Sequence, residues 1–272
     1  MKSDKGIENQ IKKTCCFYPN HLSLTPHHSC AILGFMETKH VNKDGNNIVG
    51  LTIDEVKKIC RGHGEKDRTE ELLCVIEEEL EQGFKFAKDH PETVTIFGSA
   101  RTHASEPYYD LASTVASKIV TDLGYSVITG GGPGIMEGAN KGASVAGGHS
   151  LGMAIKLPVE QDVNKYVNEA MHFHFFFTRK VVMSYTAKAF IAFPGGFGTL
   201  NEFFEVLTLV QTKKIPPVPI ILFGREFWEP LQSYIESTLS ERGFIDVSDP
   251  HLLYFITDDP DEVILNIKNF YQ

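Results

Sequence analysis

The sequence predicts an open α/β fold: a doubly wound, mostly parallel sheet with helices on both faces. A mainly helical or irregular amino-terminal extension precedes it. Three observations carry this expectation. Short apolar runs alternate with amphipathic stretches from Thr93 to Phe270, the pattern of repeated strand–helix–strand units. The stretches between the runs are long enough for crossovers, and hence for parallel pairing. Three of the runs pass directly into turns of small residues, Gly98-Ser-Ala-Arg101, Gly130-Gly-Gly-Pro-Gly134 and Pro194-Gly-Gly-Phe-Gly-Thr199.

Taken in order, residues 1–50 show no sustained period, and Asn42-Lys-Asp-Gly-Asn-Asn47 is a turn by composition. Thr52–Cys60 reads as a short capped helix ended by Gly62 and Gly64. A longer helix is expected over about 67–89, with Leu72, Leu73, Ile76, Leu80, Phe84 and Ala87 as its apolar stripe, its glutamates as a solvated face, and Pro91 beyond its end. These residues, 1–90, form the expected extension, and 91–272 the expected Rossmann-like, nucleotide-binding domain.

Within that domain Thr93–Phe97 is the first strand and Pro107–Leu123 the first helix. Strands at Tyr125–Thr129 and Ser150–Ile155 flank a helix at Ile135–Ala146. Asn168–Phe177 is an aromatic-rich stretch leading into a helix at Thr178–Ala187. The run Phe190–Phe193 is a buried strand stopped by Pro194, which has no N–H to give. Thr199 is expected to cap the next helix, with Glu202 three residues on as its capping-box partner. A strand at Val218–Phe223, a helix at Phe227–Ser240 around the single tryptophan, a strand at Leu252–Ile256 and a helix at Pro260–Phe270 complete the chain.

Composition narrows the function. The 272 residues are 42% hydrophobic and 22% charged, ordinary for a globular chain long enough to bury a sizeable core. A net charge of -9 argues against nucleic acid as a partner. No apolar run reaches the roughly 18 residues that span a bilayer, and the amino terminus lacks an apolar signal core, so no membrane partner and a cytoplasmic location are expected. The five cysteines, all within the first 74 residues, are expected to be free thiols in a reducing compartment. Cys15, Cys16, His21, His27, His28 and Cys30 lie close together but without metal-ligand spacing, so no metal is expected.

In doubly wound sheets ligands bind beyond the carboxyl ends of the strands. That rule puts the three small-residue turns along one edge. Glycine N–H groups at helix amino termini suit an anion, most simply a phosphate. The dinucleotide fingerprint is a poor match, since its last position is Ile135 and no acidic residue ends a following strand. No P-loop is present. Neither NAD nor ATP is expected, and no cofactor is.

The motif Pro194-Gly-Gly-Phe-Gly-Thr-Leu-Asn-Glu202 resembles the PGGxGTxxE signature of the LOG family, the cytokinin riboside 5′-monophosphate phosphoribohydrolases, many of whose bacterial members carry an older lysine decarboxylase label. Phe177-Thr-Arg-Lys180 is similar to the family's Arg-Lys signature. Gly130-Gly-Gly-Pro-Gly-Ile-Met-Glu-Gly-Ala-Asn140 resembles its glycine loop in the larger bacterial members. The resemblance covers about residues 93–225. It implies a homodimer or larger even oligomer that hydrolyses the N-glycosidic bond of a nucleoside 5′-monophosphate. It implies Glu202 and Arg179 as catalytic residues, Glu202 stabilising positive charge on the ribose and Arg179 orienting it. Substrate contacts are expected from Gly98, Ser99, Arg101, Gly131, Gly132, Gly134, Met136, Glu137, Pro194, Gly195, Gly196, Gly198 and Thr199. For Glu137 a ribose contact and a helix-dipole role stay open. Phe173, Phe175, Phe176 and Phe177 suit either a base pocket or a packed core and interface. The old decarboxylase label needs a Schiff-base lysine, and neither Lys180 nor Lys188 stands in a context that singles it out. The alternative from another class is a non-catalytic carrier of a nucleotide or of the molybdenum cofactor.

Overall fold

The computed structural model describes residues 39–41, 45, 47–49, 68–156 and 162–272. All of them belong to a compact unit spanning Glu37–Gln272. The cysteine and histidine cluster at 15–30 and the short helix expected over Thr52–Cys60 lie outside the described residues.

The fold is the expected doubly wound sheet. Its strands are β1 (Lys39–Val41), β2 (Asn47–Val49), β3 (Thr93–Phe97), β4 (Ser126–Thr129), β5 (Ser150–Ile155), β6 (Glu169–Phe173), β7 (Ala187–Ala192), β8 (Ile220–Phe223) and β9 (Phe255–Thr257). They lie in the order β1-β2-β6-β5-β4-β3-β7-β8-β9. Every pairing is parallel except that of β1 with β2. The helices are α1 (Arg68–Asp89), α2 (Pro107–Lys118), α3 (Ile135–Val145), α4 (Phe176–Tyr185), α5 (Phe197–Gln211), α6 (Arg225–Tyr234), α7 (Asp249–Leu252) and α8 (Pro260–Tyr271). Wider π-type turns continue α2 to Leu123 and α6 to Ser240.

Alternation along each strand sends side chains to opposite faces and builds two cores. On one face Val94, Ile96, Ala189 and Ile191 meet α2, α3 and α8 through Val115, Ile135, Ala139 and Ile264. On the other, Phe97, Phe190 and Ala192 meet α1, α4, α5 and α6 through Phe86, Val182, Phe203 and Trp228. Trp228 is fully buried, and its indole N–H lies 3.1 Å from the Ala192 carbonyl and 3.2 Å from that of Phe223. It thereby ties α6 to the carboxyl ends of β7 and β8.

The strand order reverses direction between β3 and β7, because β4, β5 and β6 build out one way from β3 and β7, β8 and β9 the other. That switch point opens a crevice at the carboxyl edge. The turns Gly98–Arg101 and Pro194–Thr199 follow the two strands that flank it.

Four local expectations are corrected. Thr199 does not cap α5. The cap position is Gly196, which has no side-chain cap bond, and Thr199 is the third residue of the helix. Two glycines let the helix start earlier than a side-chain cap would require. Glu202 is therefore free of capping and turns elsewhere. The stripe of α1 is partly displaced: Leu80 and Ala87 face the core as expected, but Leu72 and Leu73 are exposed, while Val75, Glu79 and Phe86 are buried. The aromatic-rich stretch contains a full strand, β6, in which Ala170, Met171 and Phe173 are buried while Glu169 and His172 are partly exposed. Cys74 is disulfide-bonded, whereas free thiols were expected. An odd count leaves room for a pair, and the argument from cysteines for a reducing compartment falls with it.

Candidate active site at the carboxyl edge of the sheet

Backbone hydrogen bonds stitch the three small-residue turns together. The Ser99 N–H donates to the Pro194 carbonyl at 3.0 Å, joining the β3 turn to the β7 turn. The Ile135 N–H donates to the Ser99 carbonyl at 3.0 Å, joining the β4 turn to the same point. Ser99 is the hub, and its hydroxyl accepts from the Arg101 N–H at 3.0 Å. Arg101 itself is exposed.

This close approach explains two glycines. Gly134 has φ +71, and a Cβ there would run into the Ser99 carbonyl oxygen. A Cβ on Gly195 would run into the Thr199 hydroxyl and come within 3.0 Å of the Ser99 nitrogen. Neither position tolerates a side chain without moving a neighbouring turn. Gly196 and Gly198, by contrast, are exposed, and a Cβ on either meets nothing within 4 Å. They leave the amino terminus of α5 open to solvent. The N–H groups of its first turn have no side-chain cap, so they remain available to an anion.

Beside that terminus lies an ion pair. Arg179 Nη2 and Glu202 Oε1 are 2.5 Å apart, with side chains only 9% and 14% exposed. Arg179 sits in the first turns of α4 and Glu202 in the second turn of α5, so two helices on one face of the sheet deliver the pair. The Arg179 guanidinium also lies over the Phe176 ring, 5.5 Å from its centroid. Its Nη1 is 3.5 Å from where a Cβ on Gly130 would stand, so it faces the β4 turn. Its Nε is buried and has no hydrogen-bond partner among the described residues.

Glu202 feels opposed fields. Burial pushes its carboxyl above the ordinary glutamate value, Arg179 and Lys180 pull it back, and Glu205 pushes it up again. The upward push wins. The Lys180 ammonium pairs with Glu205 and lies 3.2 Å from Asn201 Oδ1.

The remaining expected residues separate into scaffold and surface. Gly98 is packed against Ile135. The Gly131 N–H donates to the Thr129 hydroxyl at 2.9 Å, and the carbonyls of Gly131 and Gly132 accept from the Asn164 side-chain amide at 3.1 and 2.9 Å. Met136 lies under this turn with its sulfur toward Gly130 and its methyl toward Gly132. Glu137 accepts from the Tyr109 hydroxyl at 3.3 Å. Burial, with the Glu137 charge second, pushes that phenol up to about 12. Phe173 is core, Phe175 half-buried, and Phe176 and Phe177 are exposed.

Two polar residues escaped sequence reasoning, Asn140 and Asn164. Asn140 is fully buried and accepts from the Thr129 hydroxyl at 2.7 Å and from Asn164 Nδ2 at 2.9 Å, while its own amide donates to the Ser150 hydroxyl at 2.9 Å. This network fixes the β4 turn from beneath. A signal existed for Asn140, an amide on the inward face of a helix that opens on a glycine turn. Nothing in the local sequence marks Asn164.

A family model described as possible lysine decarboxylase matches residues 136–267. The chain is 32% identical over 161 residues to a cytokinin riboside 5′-monophosphate phosphoribohydrolase of Rhodococcoides fascians, covering 58% of this chain and 81% of that one. It is 31% identical over 176 residues to the cytokinin riboside 5′-monophosphate phosphoribohydrolase LOG of Oryza sativa subsp. japonica, covering 64% and 71%. Among solved structures, the X-ray structure of a structural genomics target superimposes with a TM-score of 0.50 at 22% identity, covering 65% of this chain and 99% of that one; this is a likeness of fold. A molybdenum cofactor binding protein from Rippkaea orientalis reaches a TM-score of 0.47 at 20% identity, covering 66% and 98%.

Proposed function

The chain belongs to the LOG family of cytokinin riboside 5′-monophosphate phosphoribohydrolases, and from that premise we propose that it hydrolyses the N-glycosidic bond of a nucleoside 5′-monophosphate, AMP or a cytokinin riboside monophosphate. Water adds to the anomeric carbon as the carbon–nitrogen bond breaks. The products are the free base, which takes up a proton, and ribose 5-phosphate.

The observation that carries this reading is the buried Arg179–Glu202 pair, 2.5 Å apart and next to an uncapped helix terminus. Ribosyl transfer passes through a cationic sugar. A carboxylate held in a site of low dielectric stabilises that charge more than one in water does. Arg179 has two parts in the proposal. Its charge favours the ionised form of Glu202, offsetting the burial that opposes it, and its unpaired Nε is a donor for substrate. The 5′-phosphate is held by the N–H groups that open α5, with Gly196 and Gly198 admitting it to the backbone. Gly98, Gly131, Gly134, Pro194 and Gly195 shape the turns, and Ser99, Arg101, Glu137 and Thr199 stand where nucleotide contacts are expected.

A Schiff-base reaction of the kind the decarboxylase description suggests does not fit these residues. Lys180 is engaged by Glu205 and Asn201, and Lys188 lies 3.8 Å from Glu92 with its ammonium over the Tyr271 ring. Neither turns to the glycine turns.

We also propose an even homo-oligomer. In support, α4 and the start of α5 expose Phe176, Phe177, Val181, Tyr185 and Phe197, the last 92% accessible, a clustering of apolar groups typical of interfaces. No helix among the described residues is long and apolar enough to cross a membrane.

Incubating the protein with AMP, the other nucleoside monophosphates and a prenylated adenosine monophosphate, and measuring free base, tests the activity. Release from at least one of them is expected. No release from any, together with tight binding of a phosphorylated pterin, would mark a carrier instead.

A further inference from the structure

The first turn of α4, which carries Arg179, has no cap from its own sequence: the cap position is Phe175, and no side chain there bonds the helix. A carboxylate from ninety-odd residues earlier instead holds the chain on either side of that cap. Glu79, on α1, is 6% exposed. Its Oε1 accepts the His174 N–H at 2.5 Å. Its Oε2 lies 2.7 Å from the hydroxyl of Thr178, which is also 2.9 Å from the Phe175 carbonyl. The His174 ring nitrogen Nδ1 is 3.4 Å from Oε1. Thr178 is fully buried and immediately precedes Arg179. Alongside, Gly83 lets α1 approach α4 so closely that a Cβ there would come within 3.2 Å of Val182 Cγ1.

We propose that Glu79 is a positioning residue: its two hydrogen bonds set the first turn of α4 and so hold Arg179 against Glu202. The inference rests on the hydrolase reading of that pair. It makes α1, which lies before the segment matched by the family model, a working part of the active site. The physical case is direct. A glutamate rarely occupies a buried stripe unless its acceptors are used, and here one oxygen holds the His174 N–H just before the cap of the helix bearing the arginine, and the other holds the Thr178 hydroxyl in its first turn. A carboxylate in this place also complements the positive end of the α4 dipole. Replacing it by methyl takes the acceptor from the His174 N–H and leaves the Thr178 hydroxyl only the Phe175 carbonyl, and the turn relaxes.

The test compares Glu79→Ala and Glu79→Gln with the parent protein. Glutamine keeps an oxygen for the His174 N–H, and its amide donates to the Thr178 hydroxyl, whose proton then goes to Phe175. A misplaced catalytic group costs rate rather than substrate affinity, about tenfold to a hundredfold for a shift near 1 Å. Glu79→Ala is therefore expected to lower kcat about tenfold or more with KM within threefold, and Glu79→Gln to restore kcat to within threefold. A second reading is independent of turnover: with the Glu202 carboxyl observed by 13C NMR, its titration midpoint rises in Glu79→Ala, because Arg179 no longer sits close enough to favour the ionised form, and returns in Glu79→Gln. Thr178→Val removes one arm of the clamp without opening a cavity and is expected to shift both readings in the same direction by less; it decides the matter if Glu79→Ala does not fold. A folded Glu79→Ala with kcat within twofold of the parent and an unmoved Glu202 midpoint overturns the proposal, as does a Glu79→Gln no better than Glu79→Ala. If the parent protein releases no base, the hydrolase reading falls, and the Glu202 midpoint alone decides whether Glu79 positions Arg179.

Discussion

Two turns at the same sheet edge are built to opposite specifications. The β4 turn, Gly130–Gly134, is held by side chains: Thr129 takes the Gly131 N–H, Asn164 holds the carbonyls of Gly131 and Gly132, and Asn140 braces both from below. The β7 turn, Pro194–Thr199, leaves the start of α5 uncapped, and the arginine beside it has a buried Nε without a partner. Unsatisfied buried donors are costly and rare in folded proteins. One such donor, Arg179 Nε, together with the open terminus of α5 marks that turn as the reactive half, and the bonded turn as its scaffold. Substitutions in the first are expected to cost activity, and in the second stability.

The largest expected effect tests the reactive half. Glu202→Gln keeps the shape and an acceptor for Arg179 but removes the charge that would face the ribosyl cation. Losses on removing one such electrostatic stabiliser run about a hundredfold to a thousandfold in kcat. The loss is expected in kcat with little change in Tm, measured by base release and thermal unfolding. A variant that keeps full activity refutes the role given to Glu202. Glu202→Ala is a harsher version, because it strands the buried Arg179 charge and adds a stability cost of its own.

The scaffold half is expected to break differently. Asn140→Ala removes an amide that is fully buried and bonded on both its oxygen and its nitrogen. It leaves Thr129, Asn164 and Ser150 short of partners, at a cost of about 2–4 kcal/mol by the usual penalty for unsatisfied buried groups. Urea unfolding measures this. At low temperature the folded fraction is expected to turn over at close to the parent rate. Gly134→Ala is next in size. It forces a side chain onto a backbone at φ +71 and against the Ser99 carbonyl, a strain of about 1–3 kcal/mol. Because Ser99 joins all three turns, this variant is the one expected to lower stability and activity together.

The same contrast explains what the sequence could disclose. Strand alternation and glycine turns follow local rules, so β3, β4, β5, β7 and the three turns are readable residue by residue, and the motif around Glu202 is legible as a motif. Its partner chemistry is not local. Thr199 and Glu202 have capping-box spacing, and although the family resemblance implies Arg179 as the partner of Glu202, the absence of the cap and the 2.5 Å contact come only from the packing of α4 and α5. The face of α1 is hidden from the sequence for a related reason. A stripe through Leu72, Leu73 and Ile76 is the better amphipathic pattern, yet the helix turns Val75, Glu79 and Phe86 inward and leaves Leu72 and Leu73 exposed. A periodicity argument has no way to value a buried glutamate whose acceptors are taken by residues 174 and 178. Asn164 is invisible for the same reason: its three acceptors lie in the β4 turn and α3.

The smallest effect is the most specific to the reactive half. Burial raises the Glu202 carboxyl above its ordinary value of 4.5, while Arg179 and Lys180 lower it and Glu205 raises it. Only the ionised form stabilises the ribosyl cation, so activity is lost as pH falls through the folded value, and the acid limb of kcat/KM is expected to have its midpoint above 4.5. The substrate phosphate titrates near pH 6, by the usual second ionisation of a phosphate ester, and adds a limb of its own. That contribution is common to all variants and cancels in a comparison between them. Arg179→Lys keeps a positive charge but gives up the planar fork, so its charge sits less squarely on the carboxyl. Its acid limb is expected to move up relative to the parent. The corresponding change in the scaffold, Asn164→Ala, is expected to leave the limb where it is. A limb that stays fixed in Arg179→Lys would mean that the arginine does not set the ionisation of Glu202, and that the contrast between the two turns is one of stability alone.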